Sequence, residues 1–135
     1  MMPERVLIDT SAWIASFKRA GGLELKEYVR NTVRAGVAAT TPVIILELLQ
    51  GCRSEEERNG LRLNLESLEV LPINQPVWER AYDLGFSLPR RGLTIPTADL
   101  IIAAVAIESD CILLHRDRHY ELLARHSPLR TRNLS

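Results

Sequence analysis

The chain has 135 residues, of which 46% are hydrophobic and 25% are charged, a balance typical of one globular domain with a substantial core. Its 17 basic and 17 acidic residues give a formal net charge of zero, which excludes nucleic-acid binding by overall charge but not by a local basic patch. The longest apolar run, residues 100–107, is much shorter than a membrane span. We expect a single domain over residues 1–135, located in the cytoplasm.

The hydropathy pattern predicts short strands that alternate with helices. This alternation is typical of an α/β fold, here a three-layer α/β/α sandwich around a mostly parallel sheet of four or five strands. The predicted strands cover residues 6–8, 37–40, 69–72, 111–114 and 129–134. The predicted helices cover residues 11–18, 23–35, 42–50, 55–68, 75–88, 96–109 and 120–125, and residues 89–92 are predicted to form a loop.

Four carboxylates stand at unusual positions in this pattern. Asp9 and Asp117 each follow a predicted strand, at the sheet edge where α/β proteins bind ligands. Glu47 interrupts an apolar helix, and Asp99 lies in the first turns of another; neither helix carries a Lys or Arg to neutralise them. Buried carboxylates are unfavourable unless they are paired, hydrogen-bonded or bound to a cation. If the four converge, they favour a divalent cation, and oxygen ligands suit Mg²⁺ or Mn²⁺ better than zinc.

Each acid also has a purely structural explanation. Asp9 can cap the helix predicted at Ser11, and Asp99 can interact favourably with the dipole of its own helix. Asp117 can be a turn residue, and Glu47 can pair with an arginine from elsewhere in the chain. Because four separate explanations are needed together, we favour a shared site.

Four segments resemble the motifs of the PIN domain, in the right order and across almost the whole chain, and they most resemble the VapC toxins of bacterial and archaeal toxin–antitoxin pairs. The segments are residues 7–13 (LIDTSAW), 47–51 (ELLQG), 97–104 (TADLIIAA) and 113–120 (LLHRDRHY). The resemblance implies a metal-dependent endoribonuclease that acts as a toxin. It also implies that Asp9, Glu47, Asp99 and Asp117 are the catalytic acids and hold Mg²⁺ or Mn²⁺.

Four neighbouring residues match or depart from this family pattern. Thr10 and Ser11 match it, and we expect them to hydrogen-bond the acids or the scissile phosphate. His115 stands where the family often has Thr or Ser; we expect it to orient an acid and to add pH dependence. His119 stands where many members carry a further Asp, so a second metal is not implied. Because His115 and His119 do not share a face with Cys111, they do not predict a zinc site.

The resemblance also implies the partners: an RNA substrate, a small VapB-like antitoxin that covers the acidic site, and a second copy of the chain in a homodimer. An unpaired RNA loop is the expected target. Trp13 could stack a base, but its helical spacing from Phe17 favours the core or a dimer interface. Four loop arginines are candidates for phosphate contacts, with ordinary solvated charge as an equal explanation: Arg90, Arg91, Arg116 and Arg118. The alternative function is a catalytically inactive PIN-like module that binds RNA or protein.

Overall fold

The computed structural model describes residues 4–134, and within this range five strands alternate with seven helices. The strands are β1 (Val6–Ile8), β2 (Ala38–Thr40), β3 (Glu69–Val70), β4 (Ile112–His115) and β5 (Arg130–Asn133). The helices are α1 (Thr10–Phe17), α2 (Leu23–Arg34), α3 (Pro42–Gln50), α4 (Glu55–Glu66), α5 (Gln75–Arg90), α6 (Thr97–Glu108) and α7 (Arg118–Ala124). None of the helices in this range is long and apolar enough to cross a lipid bilayer.

The five strands form one sheet in the order β3-β2-β1-β4-β5, and every pairing is parallel. The chain moves outward from β1 to β3, then returns past β1 to β4 and β5. Because crossovers between parallel strands are right-handed, this reversal places α1–α4 on one face and α5–α7 on the other. The predicted α/β/α sandwich is confirmed, with the sheet as its middle layer.

The centre of the sheet is buried on both faces. Leu7 and Ile8 of β1 and Leu113 and Leu114 of β4 are each 0% exposed. Such strands are continuous apolar runs, because neither face meets water. The apolar helix α6 is likewise buried over residues 102–106, as its sequence predicts.

The loop predicted over residues 89–92 is shorter than expected, because residues 89 and 90 belong to the last turn of α5 and only residues 91 and 92 lie in a turn outside it. A proline in that position removes only one backbone hydrogen bond, and the carbonyl that loses its partner belongs to Gly85, which is exposed to water. The turn gains a contact from Arg90, whose Nη1 donates to the Phe86 carbonyl at 2.6 Å and whose guanidinium lies 3.5 Å from the centre of the Phe86 ring.

Two further boundaries near the fourth strand differ from the prediction. His115 is the last residue of β4 instead of the first loop residue. Helix α7 begins at Arg118, two residues early, because the Asp117 carboxylate caps it by accepting a hydrogen bond from the backbone N–H of His119 at 2.9 Å. The chain therefore turns from strand to helix within two residues, which brings α7 close to the sheet edge.

Candidate active site

The carboxyl ends of β1 and β4 lie side by side where the strand order reverses. The register pairs Ile8 with Leu114, so Asp9 follows β1 next to His115, and the Asp9 N–H donates to the Leu114 carbonyl at 2.9 Å. α/β sheets bind ligands at this kind of switch point, because the connections leave it in opposite directions and open a crevice. The geometry of the fold thus places Asp9 at the expected ligand position.

Asp9 is buried, at 4% exposure, and hydrogen bonds reach both of its carboxylate oxygens. Its Oδ2 accepts from the Ser11 backbone N–H at 2.9 Å and from the Ser11 hydroxyl at 2.5 Å, and its Oδ1 accepts from the Tyr120 hydroxyl at 2.8 Å. Three donors stabilise this buried carboxylate, and no Lys or Arg of residues 4–134 forms an ion pair with it. Asp9 also caps α1. Its role as a helix cap is therefore compatible with a role in the acidic site.

Tyr120 links two of the acids. Its hydroxyl, on a side chain that is 0% exposed, lies 2.8 Å from Asp9 Oδ1 and 3.3 Å from Asp99 Oδ1. Burial and the two carboxylates raise the pKa of Tyr120 far above its ordinary value, so the hydroxyl remains protonated and can donate. One hydroxyl hydrogen satisfies one acceptor at a time, and the shorter contact favours Asp9.

The pKa of Asp99 is raised above its ordinary value. Burial first, then the charges of Asp9 and Asp117, raise the pKa of Asp99 from 3.8 to about 6; the Tyr120 hydrogen bond opposes the shift, and Glu47 adds to it. All three other members of the acidic quartet, defined as Asp9, Glu47, Asp99 and Asp117, are therefore close enough to repel this carboxylate. The structure places the four acids around one edge of the sheet, and within residues 4–134 Asp99 and Asp117, with His119, have ligand atoms close enough to share one cation.

Asp117 and His119 form the outer side of the site with Asp99. The His119 Nδ1 lies 3.1 Å from Asp117 Oδ1 and 3.7 Å from Asp99 Oδ2. This nitrogen is shielded from solvent, yet its geometry allows no hydrogen bond to any described residue. One ligand atom from each of Asp99, Asp117 and His119 lies within 4.8 Å of the others, a spacing that suits a single cation.

Glu47 completes the quartet from α3. It is half-buried, and its Oε1 accepts a hydrogen bond from the Thr10 hydroxyl at 2.6 Å. No Lys or Arg among residues 4–134 lies within ion-pair distance of Glu47, so the arginine partner that could have explained this acid is not found there. Glu47 also lies on the wall of a groove between α1, α3 and α4, whose apolar lining includes Ile14, Phe17, Leu48 and Leu61.

The supporting residues act partly through the backbone. The Ser11 hydroxyl donates to Asp9 and accepts from the Arg116 N–H at 3.0 Å, which ties α1 to the loop after β4. His115 is 0% exposed; its Nδ1 accepts from the Asp117 N–H at 3.1 Å, and its Nε2 lies 2.9 Å from Glu121 Oε1. This pattern fixes the tautomer with hydrogen on Nε2. His115 thus positions the main chain of Asp117 and contacts no quartet carboxylate.

The four arginines proposed to contact phosphate make their contacts outside the acidic quartet. Arg90 lies on Phe86, and Arg116 Nη1 donates to the Gly21 carbonyl at 3.0 Å, while Arg91 and Arg118 are exposed. Within residues 4–134, none of the four forms an ion pair with the quartet. Arg118 lies nearest to the site along the chain, directly after Asp117.

Trp13 belongs to the core. Its side chain is 8% exposed and stacks on Phe17, with the ring centres 6.1 Å apart. A ring buried in this way is not available to stack an RNA base, so the core explanation of Trp13 holds.

The sequence did not predict a site role for Tyr120 or His119, although both lie inside the fourth motif. The spacing of Tyr120 could have indicated its position. It follows Asp117 by three residues, which places it one helical turn into α7, on the same buried side as Leu123. For His119, the signal is its place in the first turn of a helix that Asp117 caps.

The donor set fits a divalent cation. Four carboxylates converge without a Lys or Arg partner in the described range, and one imidazole nitrogen beside them is buried and unpaired. A cation would relieve the repulsion that raises the pKa of Asp99 and would supply the missing partner of His119.

The chain is similar to known proteins over almost its full length. The family profile of the PIN domain matches residues 6–126. Ribonuclease VapC11 from Mycobacterium tuberculosis is 31% identical over 124 residues, which cover 89% of this chain and 92% of that protein. The fold resembles VapBC2 from Rickettsia felis, solved bound to a promoter DNA fragment, with a TM-score of 0.79 at 18% identity over 96% of this chain and 98% of that one. DNA-bound VapBC from Salmonella typhimurium superposes with a TM-score of 0.77 at 18% identity, covering 97% and 98% of the two chains. These matches confirm the resemblance seen in the four sequence motifs, and the chain belongs to the PIN-domain family, within its VapC group.

Proposed function

We propose that this chain is a metal-dependent endoribonuclease that hydrolyses RNA phosphodiester bonds and acts as the toxin of a toxin–antitoxin pair. The observation that carries the proposal is the convergence of the acidic quartet at the sheet switch point of a VapC-group chain. Its relative VapC11 is named a ribonuclease, and its structural neighbours are VapBC complexes. We also propose that residues 1–135 act as one domain in the cytoplasm, where cellular RNA is available.

In this proposal Asp9, Asp99 and Asp117 hold Mg²⁺ or Mn²⁺, and Glu47 completes the site. When bound, the cation supplies an activated water and stabilises charge on the phosphate. Every carboxylate that would contact it comes from a different element: the end of β1, the first turn of α6, the cap of α7 and the middle of α3. The rigid sheet edge therefore fixes their relative positions before RNA binds.

The chain's own hydrogen bonds orient these acids. Ser11 and Tyr120 hold both oxygens of Asp9, so that this carboxylate has one orientation. Thr10 occupies Oε1 of Glu47 and leaves Oε2 available to bind the cation or to position the attacking water. Tyr120 keeps its proton at neutral pH, so it serves as a fixed donor and takes no part as a base.

RNA binding is assigned to the arginines around this edge. Arg118 and Arg91 are exposed, so their guanidinium groups can reach phosphates without first breaking a contact. Arg90 and Arg116 would have to leave the backbone carbonyls of Phe86 and Gly21. We therefore propose that Arg118, next to Asp117, contributes most to phosphate binding among the four.

A VapB-like antitoxin is the proposed protein partner. The groove beside Glu47 is lined by apolar side chains, and Phe17 on its rim is 61% exposed. An amphipathic antitoxin segment could cover these side chains while a basic residue reaches Glu47. Phe17→Glu should prevent co-purification with the antitoxin and leave RNA cleavage by the isolated chain intact.

A homodimer is proposed as the state of the free chain. Three aromatic side chains at helical spacing lie on the outer side of α5: Trp78, Tyr82 and Phe86 are 36%, 60% and 63% exposed. A second copy could cover this stripe. Light scattering of the wild type and of Tyr82→Arg tests it: the wild type should have twice the mass of one chain, and the variant the mass of one.

The decisive test of function is cleavage of RNA by the purified chain. Total cellular RNA is incubated with the metal-stripped chain, with added Mn²⁺ or Mg²⁺, and with a chelator, and the new ends are mapped. We expect cleavage at defined sites only with a divalent cation, and none with Asp9→Asn. If the wild type binds RNA but cleaves nothing in either metal, the inactive binding module is correct and the enzyme proposal fails.

A further inference from the structure

We infer that His119 is a nitrogen ligand of the divalent cation, together with Asp99 and Asp117, and that it biases the site towards Mn²⁺ over Mg²⁺. The inference rests on the proposed function only in placing a cation at the quartet. It adds a nitrogen ligand to a site for which the sequence predicted oxygen ligands alone.

The spacing of the three side chains suits a shared ion. Two donors bound at about 2.1 Å in adjacent octahedral positions lie about 3.0 Å apart. The His119 Nδ1 is 3.1 Å from Asp117 Oδ1 and 3.7 Å from Asp99 Oδ2. The first separation already matches neighbouring ligands, and the second requires a closure of less than an ångström.

A hydrogen bond does not account for the position of this nitrogen. Asp117 Oδ1 already accepts from the His119 backbone N–H at 2.9 Å, and Nδ1 makes no hydrogen bond within residues 4–134 although it is shielded from water. With hydrogen on Nε2, the Nδ1 lone pair lies beside carboxylate oxygens without pointing directly at them, and those oxygens also carry lone pairs. A cation between them would convert three mutually repelling acceptors into three ligands.

The helix that carries His119 is anchored on both sides of it. Asp117 caps the first turn, and Tyr120 is fully buried with its hydroxyl on Asp9 and Asp99. His119 is the second residue of α7. Because the contacts of Asp117 and Tyr120 prevent α7 from rotating about its axis, the backbone that carries the imidazole is fixed beside Asp99 and Asp117 before any metal binds.

The consequence is a change in metal preference. Mg²⁺ favours oxygen ligands, whereas imidazole is a good ligand for transition metals. The chain with His119 should therefore discriminate against Mg²⁺ more strongly than the same chain with an oxygen ligand in that place. His119→Asp supplies such a ligand at the same position.

The test measures metal binding to the full, metal-stripped chain without RNA. Mn²⁺ binding is followed by electron paramagnetic resonance and Mg²⁺ binding by calorimetry, for wild type, His119→Ala, His119→Asp and the matched control His126→Ala, an exposed histidine in the loop after α7. We expect His119→Ala to weaken Mn²⁺ binding by about 10-fold or more, with a smaller effect on Mg²⁺. His119→Asp should lower the ratio of Mn²⁺ to Mg²⁺ affinity, and His126→Ala should change neither.

A spectroscopic readout makes the result independent of whether the variants fold well. The Mn²⁺-loaded wild type should show magnetic coupling to an imidazole ¹⁴N, which is absent in His119→Asp and retained in His126→Ala. Wild type that binds Mn²⁺ without ¹⁴N coupling, or an affinity ratio unchanged in His119→Asp, would overturn the inference while the proposed function stands. Wild type that binds neither ion at the quartet, with Asp99→Asn indistinguishable from it, would overturn both.

Discussion

The two halves of the acidic site are prepared in opposite ways. At Asp9, hydrogen bonds from Ser11 and Tyr120 satisfy both carboxylate oxygens, so this buried carboxylate has a fixed orientation. At Asp99 and His119, burial and then the charges of Asp9 and Asp117 raise the pKa of Asp99, and the His119 Nδ1 is shielded from water without a hydrogen bond to any of residues 4–134. The fold therefore satisfies Asp9 with its own hydrogen-bond donors, whereas a cation would supply the partner that Asp99 and His119 lack within residues 4–134.

The largest expected effect comes from Asp99. Asp99→Asn removes a proposed metal ligand and also the charge that Asp9 and Asp117 repel. We expect RNA cleavage in Mn²⁺ to fall at least about a thousand-fold, while the metal-free fold becomes no less stable. Single-turnover cleavage and urea denaturation measure the two quantities. A variant that still cleaves RNA would show that Asp99 is not a metal ligand. A variant that is markedly less stable without metal would show that the Asp99 carboxylate is not repelled in the fold.

Removing the Asp9 carboxylate should instead destabilise the fold. Asp9→Ala deletes the cap of α1 and leaves the buried Tyr120 hydroxyl without its shorter hydrogen bond. We expect a loss of about 1.5–2.5 kcal/mol in the free energy of unfolding, from about 1 for the cap and about 0.5–1.5 for the hydrogen bond from Tyr120. Asp117→Ala, which removes one cap on α7, should cost about 1 kcal/mol. Urea denaturation without metal measures the free energy of unfolding of both variants. Equal losses would show that Asp9 stabilises the fold no more than Asp117 does.

The metal-free chain should lose stability as the pH rises through the pKa of Asp99. Burial and neighbouring carboxylates raise that pKa from 3.8 in a model peptide to about 6 in the fold, so the folded chain binds more protons in this interval. The contribution of this residue is complete below the unfolded pKa and is lost above about 6, by about 1–2 kcal/mol after allowance for solvent screening. The difference in urea midpoint between wild type and Asp99→Asn should widen between these values. Saturating Mn²⁺ should reverse the trend, and a difference independent of pH would count against it.

A smaller effect is expected at Glu47, which Thr10 orients. Thr10→Val removes the 2.6 Å hydrogen bond to Glu47 Oε1 and keeps the shape of the side chain. We expect cleavage to slow by about 5-fold, corresponding to a hydrogen bond of about 1 kcal/mol. Ser16→Ala is the control, because that hydroxyl in the same helix donates to the Trp13 carbonyl at 2.6 Å. If both variants cleave alike, Thr10 has no role in positioning Glu47.

Most of the fold could be predicted because its signals are local. Apolar runs of strand length, the Ser54 and Asn74 caps and the uniformly apolar α6 each lie within one element, and the elements lie within about two residues of the predicted positions. The predicted loop began two residues too early at Pro89, because a proline ends a helix when it lies in the interior and this one lies in the last turn.

The acids could be predicted for a similar reason, since each stands out against apolar neighbours or directly follows a strand. The roles of Tyr120 and His119 could not. The hydrogen bond between Tyr120 and Asp9 joins residues 111 positions apart, and the place of the His119 ring depends on how the cap at Asp117 orients α7. Such contacts arise from tertiary packing, which no local pattern encodes.

The most direct test of this account is the position of the cation itself. Anomalous X-ray diffraction from crystals of the metal-stripped chain soaked in Mn²⁺ locates the ion without reference to activity. We predict a peak within bonding distance of Asp9, Asp99, Asp117 and the Nδ1 of His119, while Asp9 keeps its hydrogen bonds from Ser11 and Tyr120. A crystal with an open quartet that shows no peak there, or binds Mn²⁺ only elsewhere, would contradict the account.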